Sequence, residues 1–402
     1  MRASICLKQR RSAADHADVD LRSLLTWAVE AGASDVHLKI GQPPIARRDG
    51  ALAPVAGWAP LEPEQLERIL LLITEEDEAR RASFAQTNEL DVAYTPPGLQ
   101  RFRVNGFRQR GSISFAFRVI PHAVPSFAEL GLPEGVAFLA KEQRGLVLCT
   151  GATGSGKSTT LAAIVGHVNA TRSCHIVTIE DPIEFLHDDR ASIVNQREVG
   201  IDTGSFNEAL RRVLRQDPDV ILVGELRDAE SAETAIQAAE SGHLVLSTLH
   251  TVDTAESIGR LVEFFPSGKQ QQVRSILAGV LRGVISQRLL PGVRGGRMPA
   301  VEVMVNNARI ADLIRENRAG EIEEAIADGV YFKMQTFTQA LIKLVLDGVV
   351  EREVAANAAS NRHDFLVALE RVVKQRAAAA KEEAERQGRA DLADLRLVRR
   401  DR

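Results

Sequence analysis

Residues 151–158 read GATGSGKS, an eight-residue match to the pattern GxxxxGK[ST]. Residues of these types in this order handle phosphate. Glycines let successive backbone N–H groups turn inward and form an anion-binding concavity. A helix starting directly afterwards adds partial positive charge. In this reading Gly151, Ala152, Thr153, Gly154, Ser155 and Gly156 make the cradle. Lys157 reaches the β- and γ-phosphates of a nucleoside triphosphate, and Ser158 ligates Mg²⁺. A second acidic feature follows at residues 217–225, where the apolar run VILV leads through Gly224 to Glu225. Gly224 stands where a strand-ending Asp is usual, so Glu225 alone faces the Mg²⁺ and γ-phosphate. A third is HIVTIEDPIE at 175–184. Glu180 or Asp181 orients or deprotonates an attacking water, with Glu180 the favoured candidate. A hydrogen-bonded turn before Pro182 is the alternative, and Glu184 is peripheral. His250 closes a fourth apolar run and is placed to sense the γ-phosphate. His243 precedes that run and equally suits a solvated position after the Ser241-Gly242 turn.

These residues need a frame that gathers them on one edge. Short apolar runs over 145–150, 174–179, 220–223 and 244–249 predict buried strands of a parallel sheet covered on both faces. Helical patterns over 157–168, 206–215 and 229–241 fall between them. That alternation predicts an α/β domain, in which ligands gather at the carboxyl ends of the strands. From about Ala255 onward the chain reads mostly helical.

Upstream lies a smaller α+β unit over residues 20–120. Leu21, Leu24, Leu25, Ala28 and Val29 recur at helical spacing, and the region Ala31-Gly32-Ala33 ends that helix. A strand through Val36, Leu38 and Ile40 follows, then a turn over 41–44 and a helix over 61–73. Strands fall near 90–94, 101–107 and 112–120. Alternation places Arg101 and Arg103 on one strand face, and Arg118 on the polar face of the next strand. These arginines can lend charge to a transferring phosphate; a solvated strand face is the alternative. Pro121 and Pro125 mark a linker over 121–131. The α/β domain then runs over 132–362.

The 402 residues carry 50 Lys+Arg against 54 Asp+Glu, a net charge of −4. This balance excludes a polybasic nucleic-acid coat and an acidic disordered chain. Cys6, Cys149 and Cys174 are far apart and form no CxxC, which argues against a zinc ribbon or disulfide framework. The basic start of the chain is followed by no apolar stretch of signal-peptide length. No apolar run reaches the ~18–20 residues that span a bilayer. A cytoplasmic location, peripheral at most to a membrane, is the expectation. Residues 1–19 read as disordered and 363–402 as a charged helical tail. Within that tail Leu366, Leu369, Val372 and Val373 mark an amphipathic helix.

The segments GATGSGKSTTLAAI, HIVTIEDPIEFLH, LRQDPDVILVGELRDAESAETAIQAAESGHLVLSTLHT and FPSGKQQQVRSILAGVLRGVISQRLL, with GASDVHLKIGQPPIARRDG upstream, resemble the secretion-superfamily ATPases. The likeness is to the PilT-type ATPases that retract type IV pili, and it spans about residues 20–360. It implies a RecA-like P-loop domain preceded by a small PAS-like α+β domain, with a helical C-terminal part. By this resemblance 151–159, now including Thr159, is the Walker A loop. Glu180, Asp181 and Glu184 fall in the Asp box, Glu225 is the Walker B acid, and His243 and His250 belong to the His box. Arg101, Arg103 and Arg118 match first-domain arginines that approach nucleotide. The resemblance further implies ATP with Mg²⁺, a ring-shaped homo-hexamer and a platform-protein partner at the inner membrane, while the near-neutral charge balance argues against a direct role for nucleic acid. Assembly-type relatives add a long N-terminal domain and a four-cysteine metal site. Neither is seen here, which favours retraction over extension or secretion.

Overall fold

A computed structural model describes residues 20–379 except 49, 76, 121 and 122. The expectations for residues 1–19, for Pro121 in the linker and for the tail beyond 379 lie outside the described residues. The chain divides into two compact units. One holds residues 20–123 with Glu184–Leu186; the other holds Val124–Ile183 and 187–379.

The smaller unit opens with helix α1 (Leu21–Glu30), whose N terminus is capped by the Asp20 side chain. Strands β1 (Asp35–Lys39), β2 (Ile45–Arg48) and β3 (Ala51–Pro54) come next. Helices α2 (Pro63–Thr74) and α3 (Glu78–Thr87) lead to strands β4 (Glu89–Tyr94), β5 (Phe102–Gln109) and β6 (Ser112–Val119). The six strands form an antiparallel sheet in the order β3-β2-β1-β6-β5-β4. One face is apolar: Phe102, Val104, Phe115 and Phe117 pack with Leu24, Leu25, Leu66 and Ile69. The sequence reading lacks β2, β3 and α3. The two strands are four residues each; β2 buries only Ala46 and β3 is fully exposed, so neither offers a run long enough to read.

The larger unit begins with helix α4 (Glu134–Leu139), strand β7 (Gly145–Thr150) and helix α5 (Lys157–Thr171). Strands β8 (His175–Glu180) and β9 (Ile193–Glu198), helix α6 (Phe206–Val213), strand β10 (Val220–Val223), helix α7 (Ala229–Glu240) and strand β11 (Leu244–Leu249) follow. Next come helices α8 (Thr254–Glu263) and α9 (Ser267–Val280), and strands β12 (Leu281–Pro291) and β13 (Arg297–Val305). The sheet order is β13-β12-β7-β11-β10-β8-β9. All strands but β13 run parallel. Every residue of β7, β10 and β11 is buried, as a sheet covered on both faces requires.

The β12–β13 hairpin interrupts the mostly helical stretch expected beyond Ala255. α9 passes into β12 with no intervening turn, and β12 is buried on both faces, so no period-2 signal marks it. Its β-branched Val284 and Ile285, like Val301, Val303 and Val305 opposite, favour the pleated backbone. Gly283 is required here. A Cβ would lie 2.5 Å from Leu139 and 2.6 Å from the Met304 carbonyl oxygen. Strand β9, also absent from the sequence reading, is an edge strand of mixed polarity.

Helices α10 (Ala308–Arg315), α11 (Ile322–Asp328), α12 (Phe337–Leu346) and α13 (Arg352–Ala358) complete the labelled elements. A last helix covers residues 362–379 of the described chain. Phe365 and Leu369 are buried with Leu290, Phe337 and Leu341 in a second, C-terminal core. The expected boundary at 362/363 therefore cuts through this packed bundle. The solvated tail does not begin there.

Candidate nucleotide site

The fully buried strand β7 delivers the chain into the glycine-rich loop, and α5 starts at Lys157 directly after it. The loop closes only because residue 151 is glycine. Its φ is 143°, and a Cβ would lie 2.5 Å from both Ser155 Oγ and the Gln287 carbonyl oxygen. Ala152, Thr153 and Gly154 are exposed, whereas Ser155 is buried with no partner for its Oγ. A buried hydroxyl without a partner just before a helix start is what a phosphate oxygen would satisfy. Lys157 is buried, and its Nζ donates to the carbonyl oxygens of Gly151 (2.8 Å) and Ala152 (3.1 Å). Ser158 and Thr159 are half-buried in the first turn of α5.

A buried polar layer anchors the loop from behind. Thr150 donates to Ser286 Oγ (2.9 Å) and accepts from Ser257 Oγ (3.2 Å). Gln287 donates to Thr160 Oγ1 (2.9 Å) and accepts from Cys149 Sγ (3.3 Å). Burial pushes the Cys149 thiol up to about 12, so it stays protonated and serves packing, not chemistry. Sequence reasoning missed Ser257, Ser286 and Gln287, because single polar residues inside apolar runs carry no motif.

Glu225 follows β10, and His250 follows the adjacent β11. Their side chains meet, with His250 Nε2 3.3 Å from Glu225 Oε2. Arg227 pairs with the other Glu225 oxygen. Its guanidinium is held in the charged form chiefly by Glu225, with a smaller contribution from Asp181. Arg227 went unread in the sequence; its spacing, two residues after the strand-ending acid, is the only local signal. Since β10 lies two strands from β7, Glu225 is separated from the loop strand by roughly 10 Å in the sheet plane.

Glu180 lies one strand further, at the end of β8, about 14 Å from β7 in the sheet plane. It accepts from Thr178 Oγ1 (2.6 Å) and Gln196 Nε2 (3.1 Å). Asp181 and Glu184 are exposed. His243 is at the amino end of β11, the far end of the sheet from the loop. Its Nδ1 lies 3.0 Å from both the Ala238 carbonyl oxygen and Ser241 Oγ. The six-residue length of β11 sets it roughly 20 Å from the carboxyl edge.

In the smaller unit Arg103 and Arg118 sit directly opposite one another on β5 and β6. Arg103 grips Asp91 with two hydrogen bonds of 3.2 and 2.7 Å. Arg118 Nε donates to Asp35 Oδ1 at 2.9 Å. Arg101 precedes β5 and is half-buried.

The described residues contain no group of three or more His, Cys, Asp or Glu able to hold a metal ion together. Mg²⁺ needs only one or two protein oxygens when phosphate oxygens supply others. The Ser158 hydroxyl and the Glu225 carboxylate are oxygen donors of that type.

The family model for type II/IV secretion system proteins matches residues 18–357. The chain belongs to that family. It is 44% identical to the type IV pilus retraction ATPase PilT of Pseudomonas aeruginosa, over 86% of this chain and 100% of that protein. It is 40% identical to the type IV pilus ATPase PilU of the same organism, over 86% of this chain and 90% of that protein. A crystal structure of the pilus retraction motor PilT with bound ADP superposes with a TM-score of 0.81. The identity there is 44%, covering 86% of this chain and 98% of that one. Membership of the secretion family gives the loop, the Glu225–His250 pair and the parallel sheet one context, that of a nucleotide-binding ATPase.

Proposed function

We propose that this chain is an ATP-hydrolysing motor that works as a homo-hexamer and powers retraction of type IV pili. The likeness to PilT over that protein's entire length carries the reading. In this proposal the loop amides of 151–156 and Lys157 bind the β- and γ-phosphates, with Thr159 beside them in the first turn of α5. Ser158 and Glu225 hold Mg²⁺, which when bound neutralises charge on the phosphate oxygens. Glu180 orients the attacking water, with Asp181 beside it. His250 senses the γ-phosphate through its contact with Glu225. Arg101, Arg103 and Arg118 supply positive charge to the transferring phosphate. His243, hydrogen-bonded at the far end of its strand, keeps a structural role. Among the described residues no helix is long and apolar enough to cross a membrane. The motor is proposed to act from the cytoplasm on a pilus platform protein in the inner membrane.

Two measurements test this. Purified chain should release phosphate from ATP, and Lys157→Ala should abolish release; near-wild-type turnover by that variant would sink the nucleotide assignment. Deleting the gene should make surface pili accumulate. Their disappearance would make the protein an extension ATPase.

A further inference from the structure

One buried carboxylate in the larger unit has no part in the proposed chemistry. Glu302 on β13 is 4% exposed. Its Oε1 accepts from the backbone N–H of Thr254 at 3.0 Å, the first residue of α8. Burial pushes the Glu302 carboxyl above its ordinary range, and hydrogen bonds from the Thr254 backbone and side chain and from the Phe337 backbone oppose that push. Phe337 is the first residue of α12. One carboxylate thus faces the starts of two helices, ends that attract negative charge. Arg288 on β12 is drawn to the same place. Its guanidinium lies 4.1 Å from the Phe337 ring centre and donates to Ser360 Oγ (3.0 Å) and the Ala358 carbonyl. Burial lowers the Arg288 pKa, and the charges of Glu302 and Asp253 partly oppose that.

The other side of α8 leads to the nucleotide site. The turn from His250 to Asp253 enters this helix, and Asp253 caps it by accepting from the Glu256 N–H. Ser257, one turn along, hydrogen-bonds Thr251 Oγ1 (2.6 Å) and Thr150 Oγ1 (3.2 Å). The position of α8 therefore fixes both the residue before the phosphate loop and the turn that carries His250.

We infer that Glu302 is a positioning residue for hydrolysis: through the Thr254 N–H it sets the start of α8, and so holds His250 against Glu225. The inference rests on the ATPase reading above. Coupling between the nucleotide edge and the C-terminal core would then run through the hydrogen bonds that Thr254 gives Glu302, from its backbone N–H and its side chain. Thr254→Pro removes both. Proline is well tolerated at the first helical position, where the backbone N–H has no partner within the helix. Asp253 already has the extended backbone, φ −153° and ψ 177°, that a residue before proline prefers.

The experiment measures kcat and KM for ATP, ADP affinity and binding stoichiometry. Misplacement of a reacting group by about 1 Å can reduce rate by about 10²-fold. Thr254→Pro should lower kcat by about 10- to 100-fold, with KM, ADP affinity and stoichiometry within about twofold. Glu302→Leu should fall equally far, and Glu302→Gln, which keeps an acceptor oxygen, should recover most of the loss. The double variant Thr254→Pro/His250→Ala should be no slower than His250→Ala alone. Unchanged kcat in Thr254→Pro overturns the inference. So do losses that multiply in the double variant, or kcat falling in step with binding stoichiometry, which marks misfolding. If Glu302→Leu does not fold, Thr254→Pro and Glu302→Gln decide. Absence of phosphate release by the wild type removes the ATPase reading itself, and this inference with it.

Discussion

The two sheets place their functional candidates in different ways. In the larger unit β7, β10 and β11 are buried along their whole length. Charged groups have no place on either face, so they are confined to the strand ends: the phosphate loop after β7, Glu225 after β10 and His250 after β11. The smaller sheet buries one face only. Phe102, Val104 and Phe117 point into its core, and Arg103 and Arg118 share the opposite face with Asp91 and Asp35. The difference teaches that two-sided burial forces function to an edge, while one-sided burial spreads it over a surface. The charges also differ in their exposure. The Glu225 side chain is 19% exposed, with Arg227 and His250 against it. The Arg118 side chain is 68% exposed, although it is paired with Asp35. An exposed cation can turn toward an incoming phosphate at little loss, because exposed ion pairs contribute only about 0–1 kcal/mol.

That contrast is most easily broken at Arg118. If it supplies charge in the transition state, Arg118→Ala should lower ATP turnover by about 10³-fold, the lower end of what such an arginine provides. The fold should lose little, because Asp35 keeps Ser34 and lies 3.8 Å from Arg47. Steady-state phosphate release with a thermal melt separates the two effects. Wild-type turnover would reduce Arg118 to a solvated strand residue. Glu225→Gln should show a smaller effect, about 10²-fold in turnover with nucleotide binding retained. It keeps an oxygen where the proposed Mg²⁺ would sit and a group that His250 can meet. Loss of ADP binding in a calorimetric titration would show that Glu225 builds the site instead of acting in the reaction.

The sequence made the edge legible and left its supports hidden, for physical reasons. GATGSGKS declares itself because phosphate binding needs glycines and a lysine in fixed order. Strands 145–150, 220–223 and 244–249 were readable to the residue, since two-sided burial demands unbroken apolar runs bounded by turns. β12 has the same kind of run, yet it follows α9 without a break and was read as helix. Gly283 and the β-branched residues around it were the available signals. Glu302, Arg288 and Arg227 were invisible. A lone charged residue in a strand or turn reads the same from sequence whether it is buried against a helix start or solvated. Leu366, Leu369, Val372 and Val373 mark an amphipathic helix in the sequence, but Phe365 is not among them, and what the helix packs against is a tertiary fact.

The smallest effect separates the two units by their response to acid. Burial alone would raise the Asp35 carboxyl. The hydrogen bonds from Arg118 and Ser34, with the Arg118 charge, outweigh burial and hold it below its ordinary value. A carboxylate whose folded pKa lies below its unfolded value, about 3.9, stabilises fully above that pH. The contribution is lost as pH falls below it through the folded pKa. Asp35→Asn should therefore lower the smaller unit's stability at pH 6, by under about 1 kcal/mol given the exposure of the arginines. The gap to wild type should close below about pH 4, as protonation removes the same charge. The chain's two tryptophans, Trp27 and Trp58, both lie in the smaller unit. Urea unfolding followed by their fluorescence reports that unit alone, avoiding the mixed transition expected of a two-unit chain. A gap that stays constant from pH 6 to pH 3 would mean that the Asp35–Arg118 pair contributes through shape and not charge. Arg118 would then be held no more tightly than any exposed arginine.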